Sequence, residues 1–240
     1  MRPWQKRLQG RYWRLTLPLI TMLLAACSTT RHASLPAMTA VTSAPIAERC
    51  ASFFPKGRWQ LTHEINFQLA SGANGHGVGV LIIDGNALSC ALMTTEGLTL
   101  FAARSQSDGI LQVLRALPPF DSQGFAAGLI ADVRAVFLPP PGVVSVGRLA
   151  DGRVQCRYAN GQEVTDVLPK MDGCFRLSTY APMGSSGETP VQTRTVDAHR
   201  CNQLGNALMA HELNLTGQGA AGYTLNMRLL SAEPLPAITQ

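Results

Sequence analysis

Residues 59–69, WQLTHEINFQL, alternate along their whole length. Trp59, Leu61, Ile65, Phe67 and Leu69 take odd positions together with His63, and Gln60, Thr62, Glu64, Asn66 and Gln68 take the even ones. Period two over such a run predicts a half-buried antiparallel strand. Turn residues then punctuate the chain about every ten positions. SGANG (71–75) predicts a turn, HGVGVLIID (76–84) a second strand, and ALSCALMT (87–94), LTLFAAR (98–104) and ILQVLRAL (110–117) three more. The period changes next. Between Pro118–Pro119 and Pro139–Pro141, the residues Phe125, Leu129, Val133, Val136 and Phe137 fall four and three apart. That spacing predicts a helix over about 123–137 whose single apolar stripe packs on the sheet. Strands resume at 152–159, 162–169, 173–181, 191–199, 207–216 and 222–232, with Asn160-Gly161 at a hairpin turn. The expected class is mainly β (α+β): a curved antiparallel sheet of about ten strands with one mid-chain helix.

Residues 1–26 follow another logic. Arg2, Lys6, Arg7, Arg11 and Arg14 precede the apolar run Leu15–Ala26, which is too short for the ~20 residues of a membrane span but suits a signal peptide. The run ends in Leu24-Ala25-Ala26-Cys27, which resembles the lipobox of bacterial lipoproteins. The resemblance implies that Cys27 becomes the acylated N-terminus, a lipid anchor. Ser28, with no Asp after Cys27, implies sorting to the inner leaflet of the outer membrane, facing the periplasm. Residues 27–49 lack periodicity and are rich in Ala, Ser, Thr and Pro, which predicts a flexible tether. Residues 50–240 then form one domain.

The anchor changes the reading of charge. The chain carries 20 Lys+Arg and 15 Asp+Glu, and five of the basic residues lie in the leader, so the mature protein has no formal net charge. No basic cluster remains to follow a phosphate backbone, so nucleic acid is not an expected partner. Five cysteines follow Cys27: Cys50, Cys90, Cys156, Cys174 and Cys201. An odd number in an oxidising compartment leaves at least one thiol free. Cys90, inside the apolar ALSCALM, is the expected one, and the pairing of the other four is left open.

Candidate chemistry is sparse. HEINF (63–67) and HELNL (211–215) begin like the zinc-protease motif His-Glu-x-x-His, but both lack the second His and both alternate like strands. GANGHGVGV is not followed by a helix, as a phosphate cradle requires. GSSG (184–187) is not the G-x-S-x-G of a nucleophile elbow. No catalytic residue, metal ligand or cofactor is assigned, and an enzyme is not expected. The remaining candidate is apolar surface: Trp59, Leu61, Ile65, Phe67 and Leu69 on one strand, continued by Val78, Val80 and Ile82 on the next and by Phe101.

The order of these elements, a lipidated Cys, a tether, strands opening on a long amphipathic one, a helix, and strands ending in a hairpin, resembles the LolA/LolB-type outer-membrane lipoprotein carriers. It is also similar to uncharacterised proteobacterial lipoproteins related to them. The resemblance spans about 59–232, and TTEGLTLFAAR and GYTLNMRLL are similar to the family's strand ends. It implies an incomplete, half β-barrel with the helix as a lid over an apolar cavity that receives the acyl chains of a lipid or lipoprotein. The apolar residues named above would line that cavity, and Phe125, Leu129, Val133 and Val136 would form the lid. No long insertion presenting an exposed Leu, which the lipoprotein receptor uses, is found in the sequence, so within that class of lipid or lipoprotein ligands another lipid or an acyl-chain product fits better. The alternative is a non-catalytic scaffold lipoprotein whose partner is an envelope protein.

Overall fold

A computed structural model describes residues 34–42, 44–181, 190–205, 207–219 and 222–236. Cys27, the apolar run before it and the GSSG loop lie outside the described residues. Among those described, thirteen strands form a single antiparallel sheet. After β1 (Thr39–Ala40) and helix α1 (Ala44–Ala51), the chain runs as a meander through β2 (Arg58–Leu69), β3 (Asn74–Asp84), β4 (Ala87–Met93), β5 (Thr99–Ser105) and β6 (Leu111–Ala116). Helix α2 (Phe125–Phe137) follows. A second meander runs through β7 (Val143–Arg148), β8 (Val154–Ala159), β9 (Val164–Pro169), β10 (Phe175–Ala181), β11 (Val191–Leu204), β12 (Ala207–Gly217) and β13 (Tyr223–Pro234).

One long pairing joins the two meanders. β13 runs antiparallel to β2 from Tyr223 opposite Leu69 to Pro234 opposite Trp59. The sheet order is therefore β1-β7-β8-β9-β10-β11-β12-β13-β2-β3-β4-β5-β6, open at both ends. A sheet this wide curls rather than staying flat. Here Trp59 and Leu61 of β2, Val167 of β9, Leu177 of β10, and Leu213 and Leu215 of β12 enter one apolar cluster with Val136 and Phe137 of α2. Period two makes this possible: the odd residues of β2 and β3 and the even ones of β11 all face the concave side.

The strand count exceeds the ten or so expected, for two local reasons. Val143–Arg148 follows the proline run that ends α2, and only Val146 and Gly147 of that segment are buried, so it carries little hydrophobic pattern. Residues 34–42 and 44–49, expected to belong to the tether, pack with the domain instead. β1 pairs with the outer edge of β7, and Ser34 makes an isolated bridge to Val191. The Arg157 guanidinium donates to the Pro36 carbonyl at 2.8 Å while gripping Asp166 through two further bonds. Met38 lies over Gly147, where a Cβ would sit only 2.6 Å from its sulfur. A two-residue strand and a two-turn helix are too short to show a period, which is why composition alone suggested a tether.

Disulfides hold this half of the sheet. Cys50 of α1 is bonded to Cys156 of β8, Cys174 to Cys201, and Cys90 is free. Beside the first bridge, the Phe53 ring stacks on Phe175 at 5.0 Å. Helix α2 begins after Gly124, whose φ of 82° is a backbone position that favours glycine. It ends as Leu138 turns extended before Pro139.

Candidate functional site

The concave face is not filled throughout. At the Trp59 end of β2 it is solid core, while from His63 to Leu69 the sheet and α2 enclose a cavity of about 910 Å³. Ile65, Phe67 and Leu69 of β2, Leu81 of β3, Leu92 of β4, Phe101 of β5 and Leu225 and Met227 of β13 supply its apolar walls. The helix contributes Phe125, Gly128, Leu129, Asp132 and Val133, which recur at the three–four spacing of one face. Exposed Ser71, Ser122, Gln123 and Gln218 ring the open end.

Glycines make the space. On β3 the inward positions opposite Phe67, Ile65 and His63 are Gly75, Gly77 and Gly79. A Cβ on Gly75 would meet the Phe67 ring at 2.6 Å, and one on Gly79 would meet Ile65 Cδ1 at 2.4 Å. The missing side chains let those larger groups lie across β3. This corrects the expected lining. Val78, Val80 and Ile82 pair with Glu64, Thr62 and Gln60 on the other face of the sheet, one residue out of phase with the cavity. Trp59 and Leu61 face the concave side but are buried in the solid core beneath the cavity. Ile65, Phe67, Leu69 and Phe101 line it. Of the helix residues, Phe125, Leu129 and Val133 line it too, while Val136 packs in the main core.

Two polar features interrupt the apolar walls. The first is at the rim. Arg194 of β11, Gly217 of β12, Tyr223 of β13 and Leu69 of β2 stand in one row across four adjacent strands. Arg194 holds Asp132 of α2 at 2.7 Å, and the Tyr223 hydroxyl donates to the same carboxylate. Gly217 permits this, since a Cβ there would sit 2.4 Å from the Tyr223 ring. Burial raises the Asp132 carboxyl above its usual range, against the pull of the Arg194 charge and the Tyr223 hydrogen bond. Burial likewise raises the Tyr223 phenol, with the neighbouring Asp132 charge adding to it. Burial is the largest single influence on Arg194 and opposes its charge, but Asp132, Tyr223 and Glu163 together outweigh it and the guanidinium is held more firmly protonated. The three groups clasp the helix to the sheet. The sequence carried one faint signal of this, an Asp on the apolar stripe of a helix.

The second feature is at the floor. His63 is 4% exposed, its ring centroid lies 5.6 Å from that of Phe137, and burial pushes its imidazole down to about 4. Glu64 projects to the opposite face, where Arg228 Nε donates to it at 2.7 Å, so the two do not act together as a metal-protease pair would. Glu212 is likewise paired with Arg200 on exposed surface, beside an exposed His211. Cys90, half buried in the cavity wall, has its thiol pushed up to about 11 by burial, with a smaller opposing effect from a backbone hydrogen bond to Ala103.

No protein-family model matches the chain, and no curated protein matches it. Among solved structures it is similar to a LolA superfamily protein from Nitrosomonas europaea, with 11% identity and a TM-score of 0.47 over 82% of this chain and 96% of that one. It is also similar to a domain from Vibrio parahaemolyticus described as an outer membrane lipoprotein-sorting protein, with 12% identity and a TM-score of 0.44 over 79% of this chain and 90% of that one.

Proposed function

We propose that this protein is a carrier for an acyl-chain ligand, anchored through Cys27 to the outer membrane and facing the periplasm. The observation that carries the reading is the cavity of about 910 Å³, apolar except at rim and floor, between a concave sheet and one helix. Its size is at the upper end of small-molecule sites, roughly 300–1,000 Å³. The row at Leu69 and the row at His63 are six residues apart on β2, a span of about 20 Å at strand rise. A zigzag chain with bonds of about 1.5 Å needs on the order of sixteen carbons to cover it.

Energetics fit the role. Each methylene removed from water is worth ~0.8 kcal/mol, so an apolar cavity competes with a bilayer for a chain. Release requires that the cavity not win by much, and a helix anchored in the core by Val136 and Phe137 at its C-terminal end but fastened at the rim by polar contacts offers a hinged route out. In this reading α2 is the lid and Asp132, Arg194 and Tyr223 are its fastening. Among the described residues no long insertion presents an exposed Leu, and a phospholipid or another acylated product is the ligand this reading favours over a lipoprotein.

Native mass spectrometry with lipid extraction, on Cys27→Ala protein purified from a Gram-negative periplasm, tests the proposal. Bound acyl species are the expected result. A ligand-free protein that also takes up no added lipid would overturn it and favour a scaffold that docks envelope proteins. An engineered disulfide from α2 to the sheet should block uptake, and unchanged uptake would remove the helix from the role of lid.

A further inference from the structure

His63 is a polar side chain in the wrong kind of place. It stands on the apolar side of β2, buried, between Ile65 and the solid core of Leu61. Among the described residues it has no hydrogen-bond partner, although it lines the cavity. The position facing it across β3 is Gly79, and the one facing it across β13 is Leu229, beside a bulge in that strand's register. Neither offers a polar side chain. The nearest ring is Phe137. The His63 ring nitrogens are not sealed in the core but open on the cavity, where a polar ring among apolar walls with no protein partner is a cost that a Leu or Phe at 63 would avoid.

We propose that His63 is a recognition residue for the inner end of the ligand, and that the cavity takes an acyl chain bearing a hydroxyl at its buried end. This rests on the carrier reading and adds the ligand's chemistry to it. A neutral imidazole has one donor and one acceptor nitrogen, and a hydroxyl is the smallest group that answers both. A carboxylate at the same depth would lose its hydration among apolar walls with no cation beside it, since Arg194 and Asp132 sit at the other end of the cavity. Among the described residues no group of three His, Cys, Asp or Glu side chains forms around His63 to hold a metal instead. The burial that keeps the ring uncharged at neutral pH fits a partner that is itself uncharged.

The test is competition of hexadecanoic acid and 16-hydroxyhexadecanoic acid against a fluorescent fatty acid bound to the purified protein. The wild type is expected to bind the hydroxylated chain roughly 3- to 10-fold tighter, the range of one net hydrogen bond. His63→Leu should abolish that ratio while still binding hexadecanoic acid, and His63→Gln, which keeps an uncharged donor and acceptor, should retain it. The imidazole nitrogen resonances of the wild type should shift with the hydroxylated chain and not with the plain one, a readout that does not depend on any variant folding. If both chains bind the wild type equally, or if His63→Leu keeps the ratio, the inference fails while the carrier reading stands. If neither chain binds, the carrier reading fails and takes this inference with it.

Discussion

Arg194 and Asp132, 62 positions apart in sequence, meet at 2.7 Å where α2 crosses the cavity rim. Neither has an independent reason to be there. Asp132 occupies the apolar stripe of α2, and Arg194 alternates with Val196 and Ala198 on the inward face of β11. Each is tolerable because the other is present and Tyr223 donates to the same carboxylate. Breaking a buried pair by removing one partner leaves the other charge stranded.

Asp132→Ala should therefore cost about 3 kcal/mol of stability and loosen the helix. The free thiol of Cys90 in the cavity wall reports on the second effect. Maleimide labelling of Cys90 under native conditions should speed up several-fold in the variant. Labelling at the wild-type rate would mean that the rim contacts do not hold the helix.

Gly79 tests the origin of the cavity. Its Cβ would clash only with the far end of Ile65, at 2.4 Å from Cδ1, with the His63 carbonyl oxygen no nearer than 4.0 Å, so Gly79→Ala should displace that side chain into the cavity rather than distort the sheet. Stability should change by less than about 1 kcal/mol, because the lost glycine flexibility offsets the crowding. Capacity should fall, with long chains losing affinity more than short ones in a chain-length series. Equal loss at every length would point to sheet damage instead.

These glycines also mark where the sequence was legible and where it was not. The alternation of WQLTHEINFQL yields β2 to within a residue, because eleven positions obey one period. On β3 the apolar residues Val78, Val80 and Ile82 attract the eye, yet Gly75 and Gly79 line up with the large inward residues of β2. A cavity wall built by omitting side chains leaves no hydrophobic signal on its own strand. The helix was legible from Phe125, Leu129 and Val133, but Asp132 among them acquires meaning only when β11 and β13 are folded against it. α1 and β1 escaped because eight and two residues are too few to carry a period, and their place is fixed by Cys50, Pro36 and Met38 contacting distant strands.

The Cys50–Cys156 bridge closes a loop of 106 residues between α1 and β8. In the chain-entropy account a loop of that size is worth about 4–5 kcal/mol, against about 3–4 kcal/mol for the 27-residue separation of Cys174–Cys201. Replacing both Cys50 and Cys156 by Ala should lower the denaturation midpoint more than replacing Cys174 and Cys201. It should also free α1 first, seen as early loss of protection from hydrogen exchange at residues 44–51. The reverse ranking would mean that packing of Phe53 and Phe54 on Phe175, rather than the bridge, secures that end.

His63 makes stability depend on pH in a direction that burial dictates. Its imidazole is pushed from an ordinary value of 6.5 down to about 4 in the folded protein. Above pH 6.5 the ring is neutral in both states and adds no pH dependence. Between 6.5 and 4 the unfolded chain takes up a proton that the folded one refuses, so stability falls as pH falls. Below about 4 both are protonated and the loss is complete, at about 3 kcal/mol for a shift of this size. Urea unfolding of wild type and His63→Leu at pH 7, 5.5 and 4 isolates the contribution, since the other titrating groups are common to both. The variant should equal or exceed the wild type at pH 7, where it exchanges an unpartnered polar ring for an apolar side chain. Its advantage should grow by about 3 kcal/mol by pH 4. A difference that stays constant with pH would mean that the folded protein admits a proton to His63 as readily as water does, and that the cavity floor is wet rather than apolar.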